Sequence, residues 1–168
     1  MPRVQSARSS CKTRIINPYK QKKTMKNAIN KYFEVKVKIQ KTQEDGTQKK
    51  VTEQYVVEAA TFGEAERRIT ECLKPYIEGE FNVTDIKIAG YAQIVSGDEN
   101  ADKYFKAKVT FVALDETTGK EKNTSELYLV QSETLESAES DVKNYLNDGN
   151  TTISSIAETA ILDVFTLD

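Results

Sequence analysis

Two stretches of the chain alternate strictly between apolar and polar residues. In the first, Phe33, Val35, Val37 and Ile39 are interleaved with Glu34, Lys36, Lys38 and Gln40; Phe105, Ala107, Val109 and Phe111 repeat the pattern further along. A period of two sends successive side chains to opposite faces, so both stretches predict half-buried strands. A polar segment with a turn glycine follows each, Glu44-Asp45-Gly46-Thr47 and Glu116-Thr117-Thr118-Gly119-Lys120. Gly and Asp tolerate the positive φ of a hairpin, and the pattern predicts returning strands over Val51–Ala59 and Ser125–Gln131.

The period then changes to that of a helix. Phe62, Ala65, Ile69, Cys72 and Leu73 share one helical face, as do Leu135, Ala138, Val142, Tyr145 and Leu146. Thr61 and Thr134 are the expected N-caps, with a capping box in Thr61-Phe62-Gly63-Glu64. Pro75 and Asn147-Asp148-Gly149 end the helices, and one further extended segment is expected after each, Val83–Val95 and Ile153–Phe165.

The two patterns are copies of one unit. Lys31-Tyr32-Phe33-Glu34-Val35-Lys36-Val37 recurs as Lys103-Tyr104-Phe105-Lys106-Ala107-Lys108-Val109, a shift of 72; Tyr55-Val56-Val57 recurs as Tyr128-Leu129-Val130, a shift of 73; Val83-Thr84-Asp85-Ile86 falls opposite Ile153-Ser154-Ser155-Ile156, a shift of 70. The expected fold is therefore α+β, an internal duplication of a ββαβ unit, with antiparallel sheets and one helix per copy packed on them. The copies run over 25–95 and 103–168, joined by a linker at 96–102. A lone unit of about 65 residues buries too little apolar surface, so the copies are expected to share a core or extend each other's sheets.

Composition changes this picture at one end. Residues 1 to 31 hold nine basic residues and no acid, which leaves 15 basic against 26 acidic residues in the remainder, a net −11. Residues 1–24 show no helix or strand period and read as a disordered basic leader: a phosphate-binding arm, a targeting peptide or, the favoured reading, sequence upstream of a true start at Met25. No run of roughly 18 apolar residues could span a bilayer and no secretory signal precedes the body, so a cytoplasmic protein without membrane association is expected. Cys11 and Cys72 would staple nothing useful; Cys72, on the apolar helix face, is expected to be a buried thiol.

Tyr32-Phe33-Glu34-Val35-Lys36-Val37, Val51-Thr52-Glu53, Leu73-Lys74-Pro75-Tyr76-Ile77 and the segment from Ser155 to Phe165 together resemble an uncharacterised family, domain of unknown function 4494. The likeness runs from Lys26 to Phe165. It implies a setting in Bacteroides-type bacteria or their phages, among genes of mobile elements, and brings no catalytic residues. Where members usually carry a proline, this chain has Ala160.

Chemistry is sparse. The chain has no histidine, no cysteine pair and no Gly-rich phosphate loop. Glu53, Glu58, Asp85 and Glu158 fall near predicted strand ends, but a few such neighbours are expected by chance among 26 acids. No catalytic residue, metal or cofactor is assigned, and an enzyme is not expected. Lysines are the better lead. Lys36, Lys38, Lys106 and Lys108 lie on the outward faces of the first strands, and Lys49, Lys50, Lys120 and Lys122 on the hairpins; with Tyr32 and Tyr104 exposed beside them, they would form the parts of a surface for single-stranded DNA or RNA, lysines on phosphates and rings on bases. Lysine on edge strands also serves to prevent aggregation. The function expected is a non-enzymatic accessory protein of a phage or mobile element, binding single-stranded nucleic acid or working beside a replication protein. The alternative is an interaction or inhibitor module acting on a host or phage protein through its sheet edges or its acidic helix face of Glu64, Glu66, Glu71, Glu136, Glu139 and Asp141.

Overall fold

The computed structural model of the chain describes residues 30–167. The basic leader, Cys11, the start at Met25 and the terminal Asp168 lie outside them. The elements run β1 (Lys31–Thr42), β2 (Gln48–Ala59), α1 (Phe62–Leu73), β3 (Phe81–Ala89), β4 (Tyr91–Ser96), β5 (Lys103–Leu114), β6 (Glu121–Ser132), α2 (Leu135–Leu146), β7 (Thr151–Glu158) and β8 (Ile161–Phe165). The fold is α+β with two four-stranded, mainly antiparallel sheets and one helix on each, and the duplicated ββαβ unit is plain in the order of elements.

Each expected third strand is in fact two, and the second of the two belongs to the other copy's sheet. Sheet order is β3-β1-β2-β8 in the first compact unit and β4-β6-β5-β7 in the second. The chain leaves the first unit at Gly90 and returns at Ile161, so the compact units are residues 30–89 with 161–167, and residues 90–160. Each copy thus extends the other's sheet. Gly90 and Ala160 are equivalent under the shift of 70; neither belongs to a strand, and each marks the point where the chain changes sheet. The exchanged strands pair parallel, β8 on β2 and β4 on β6, while the β1–β2, β1–β3, β5–β6 and β5–β7 pairs are antiparallel.

The two cores have the same plan and different fillings. Phe33, Val35, Val37 and Ile39 pack with Tyr55, Val57, Ala65, Ile69, Cys72 and Leu73, and Phe165 of β8 completes the cluster. In the second unit Phe105, Ala107, Val109, Tyr128, Val130, Ala138 and Val142 pack with Val95 of β4. Tyr55 stacks on Phe165 at 5.9 Å between ring centres, whereas Tyr128 meets Tyr145 of α2 at 6.2 Å. The aromatic neighbour comes from the strand in one unit and from the helix in the other. Cys72 and Phe165 stand where the second unit has Tyr145 and Val95, so a small residue gained on one element is matched by a large one on its neighbour, as close packing requires.

Caps set the helix ends. Thr61 Oγ1 accepts from the Glu64 amide at 3.2 Å, but the Glu64 carboxylate reaches past Thr61 to accept from the Ala60 amide. The reciprocal capping box expected in the first copy is found in the second, between Thr134 and Ser137. Asn147, at φ 40°, closes α2 in the left-handed region that asparagine tolerates. The expected linker is tied down: Ser96 ends β4, the Gln131 side chain donates to the Ala101 carbonyl at 2.9 Å, and Ala101 is buried. Among the described residues no helix is long and apolar enough to cross a membrane.

Candidate nucleic-acid interface

The face of β1–β2 turned away from α1 carries Tyr32, Glu34, Lys36, Lys38 and Gln40, paired in register with Glu58, Val56, Gln54, Thr52 and Lys50. The two ends of this face differ. At one end Tyr32 is 7% exposed and Val56 fully buried. At the other, Lys38 and Lys50 are exposed diagonal neighbours with only Thr52 and Gln40 between them. Lys36, between the ends, is half-buried with Asp85 of β3 3.9 Å away, and Lys87 pairs with Glu34 at 3.0 Å. That pairing pushes the Lys87 ammonium above its ordinary pKa.

The second unit repeats the division. Tyr104 is 3% exposed and Leu129 fully buried, while Lys106 is half-buried with its ammonium 5.6 Å from the centre of the Tyr91 ring. Lys108, Lys120 and Lys122 are exposed. Of the ten residues expected to form a single-strand surface, Tyr32 and Tyr104 are therefore not available as stacking platforms, and Lys36 and Lys106 are engaged locally. Lys38, Lys49, Lys50, Lys108, Lys120 and Lys122 remain exposed, without a carboxylate partner among the described residues. They form two sets, three lysines in each unit.

The carboxylates at strand ends have local structural partners. Glu53 accepts from the Tyr55 hydroxyl and from Lys41, each at 2.6 Å, and Glu58 accepts from the Leu167 amide at 3.1 Å. Asp85 lies beside Lys36, and Glu158 lies 3.8 Å from Lys103. Among the described residues no three of His, Cys, Asp and Glu come together as a metal site. Cys72 is buried in the first core. The acidic helix face is also partly committed, since Glu71 pairs with Arg67 and Glu139 with Lys143. Asp141 faces inward instead, its carboxylate accepting from buried Ser132 at 3.0 Å. A Cβ on Gly97 would fall 1.8 Å from that carboxylate, so a side chain there would push Asp141 off Ser132.

One repeated pair escaped the sequence reading. Tyr55 donates to Glu53 and Tyr128 donates to Glu126 at 2.8 Å, so a Glu-x-Tyr spacing recurs at the shift of 73. Burial first, and then the hydrogen bond to the neighbouring carboxylate, pushes both tyrosine hydroxyls well above their ordinary pKa and keeps them as donors. The repeat itself was the available signal.

Residues 31–167 match the family model described as Domain of unknown function (DUF4494). No curated protein matches the chain.

Proposed function

The chain belongs to the DUF4494 family, and we propose that it is a non-enzymatic accessory module that holds the phosphate backbone of nucleic acid with the lysines of its two hairpins. The supporting observation is the pair of three-lysine sets, Lys38, Lys49 and Lys50 in one unit and Lys108, Lys120 and Lys122 in the other, exposed and without acid partners among the described residues, on a body of net −11. Lysines left without partners on so acidic a protein are placed to meet an anion from outside. With Tyr32 and Tyr104 buried, recognition runs through charge alone, and affinity depends steeply on salt. A single strand is the favoured ligand, because its flexible backbone follows a twisted sheet and the acidic remainder repels a stiff, densely charged duplex. A cytoplasmic setting in Bacteroides-type bacteria or their phages, beside replication proteins, fits this role.

The test is fluorescence anisotropy with labelled single-stranded and duplex DNA over a salt series, using the chain from Met25 so that the basic leader does not contribute. Replacing Lys38 and Lys50 by Glu is expected to weaken single-strand binding and to lower the log–log salt slope by about 1.4, near 0.7 for each phosphate no longer neutralised. Equal binding by wild type and variant, or none at tens of micromolar, about the range of non-specific affinities, discards the reading.

A second reading, an interaction module for a host or phage protein, draws support from the sheet edges. Among the described residues β3 and β7 pair on one side only, leaving a row of backbone donors and acceptors on the other.

A further inference from the structure

The two open antiparallel edges occupy equivalent places in the duplicated fold, which makes each a control for the other. Both carry an irregularity at the same site, between Lys36 and Val37 opposite β3 and between Lys108 and Val109 opposite β7. They differ in charge. The middle of β3 holds Asp85 and Lys87, which pair with Lys36 and Glu34. The same positions of β7 hold Ser155 and Ala157, and from Thr151 to Ala157 that strand has no charged residue and no proline. Charged residues on an edge strand are a main defence against pairing with another chain. The first unit carries them and the second does not.

The β7 sequence is also complementary to itself. Running two copies antiparallel about an axis between Ser154 and Ser155 brings Ile153 opposite Ile156, Thr152 opposite Ala157, and Ser154 opposite Ser155. Ile153 and Ile156 both lie on the helix-bearing face, where they pack against the second core. A two-fold axis perpendicular to the sheet keeps that face common to both copies, so isoleucine meets isoleucine on one side and small hydroxyl or methyl groups meet on the other. Two residues at the irregularity face two in the partner, and the pairing needs no gap.

We propose that β7 is a self-association edge, joining two copies of the chain through antiparallel β7–β7 pairing into one continuous eight-stranded sheet. The same operation applied to β3 would set Asp85 beside Asp85 near the axis, so the first unit stays out of the contact. Two copies also double the number of hairpin lysine sets offered to one strand of nucleic acid, although the association does not depend on that ligand.

Sedimentation equilibrium on the full chain without nucleic acid tests this. Wild type and Ser155→Thr are expected to dimerise, and Ser155→Lys to raise the dimer dissociation constant at least about fivefold through like charges near the axis. Mixing Ser155→Lys with Ser155→Asp should restore a dimer holding one of each. Ser155 is exposed, so circular dichroism spectra of the variants should match that of wild type and show that each variant is folded. Monomeric wild type at all concentrations, or a dimer indifferent to Ser155→Lys, overturns the proposal.

Discussion

Removing the Phe165 ring is the most direct test of the exchanged strands. Phe165 belongs to the second copy by sequence, yet its ring is buried in the first core, stacked on Tyr55 at 5.9 Å. Truncating a buried phenylalanine to alanine costs about 3–5 kcal/mol, the lost transfer energy plus the cavity left behind. Taking about 4 kcal/mol, the folded-to-unfolded ratio of that unit falls by about three powers of ten, a large part of the stability of an ordinary domain. The loss also has an address. β8 pairs with β2, so in Phe165→Ala amide hydrogen exchange should quicken in β2 and at the inner amides of β1, while β6 keeps its protection.

The reverse pattern would refute the topology. If the last strand lay on its own copy's sheet, the same substitution would loosen β6 and spare β2. A compensating exchange sharpens the test, since the second unit solves the same packing problem with Val95 and Tyr145. Phe165→Val should cost about 2 kcal/mol, and adding Cys72→Tyr should return part of it, giving a favourable coupling of roughly 0.5–1.5 kcal/mol in a urea double-mutant cycle followed by circular dichroism. Strict additivity would mean that the matched volumes in the two cores are coincidence.

Gly97→Ala should destabilise the second unit by about 1–3 kcal/mol in thermal unfolding, because the new methyl meets the Asp141 carboxylate, and the cost should largely vanish in the Asp141→Ala background. The Tyr55 and Tyr128 hydroxyls, held above the ordinary tyrosine pKa, should stay protonated in the native protein when unfolded tyrosines ionise. The native state then binds more protons than the unfolded state, so their contribution is full below the unfolded tyrosine pKa and declines as pH rises above it. Absorbance titration at alkaline pH should show late-ionising tyrosine that Tyr55→Phe and Tyr128→Phe each reduce; late absorbance unchanged in both variants would contradict the Glu-x-Tyr pairs.

Alternation and repetition made most of this fold legible. The strict period of β1 and β5, the caps at Thr61 and Thr134, and the turn glycines at 46 and 119 all fall where local chemistry puts them. The change of sheet at Gly90 left no comparable mark, because Ile86, Ile88, Tyr91 and Val95 continue an extended pattern across a single glycine with no turn signature. Which sheet an extended segment joins is decided by tertiary pairing, which a period of two does not encode. The burial of Tyr32 and Tyr104 was open to a different argument. Tyr55-Val56-Val57 and Tyr128-Leu129-Val130 are consecutive apolar runs, and a strand apolar on both faces is buried on both. Both tyrosines pair beside those runs, so the lack of alternation in β2 and β6 was the sign that one end of each outward face is closed.

The positions at which the two copies diverge also separate packing from function. Where Cys72 and Phe165 answer Tyr145 and Val95, the change is compensated nearby and each core remains filled. The change from Asp85 and Lys87 to Ser155 and Ala157 is matched only in part: Lys106 replaces Glu34 opposite Ala157, but Ser155 faces Lys108 as Asp85 faces Lys36, and an uncharged edge exposes a protein to aggregation. A neutral, self-complementary stretch on an open antiparallel edge is explained by a partner that covers it, and the register of the stretch on itself makes a second copy of the chain that partner.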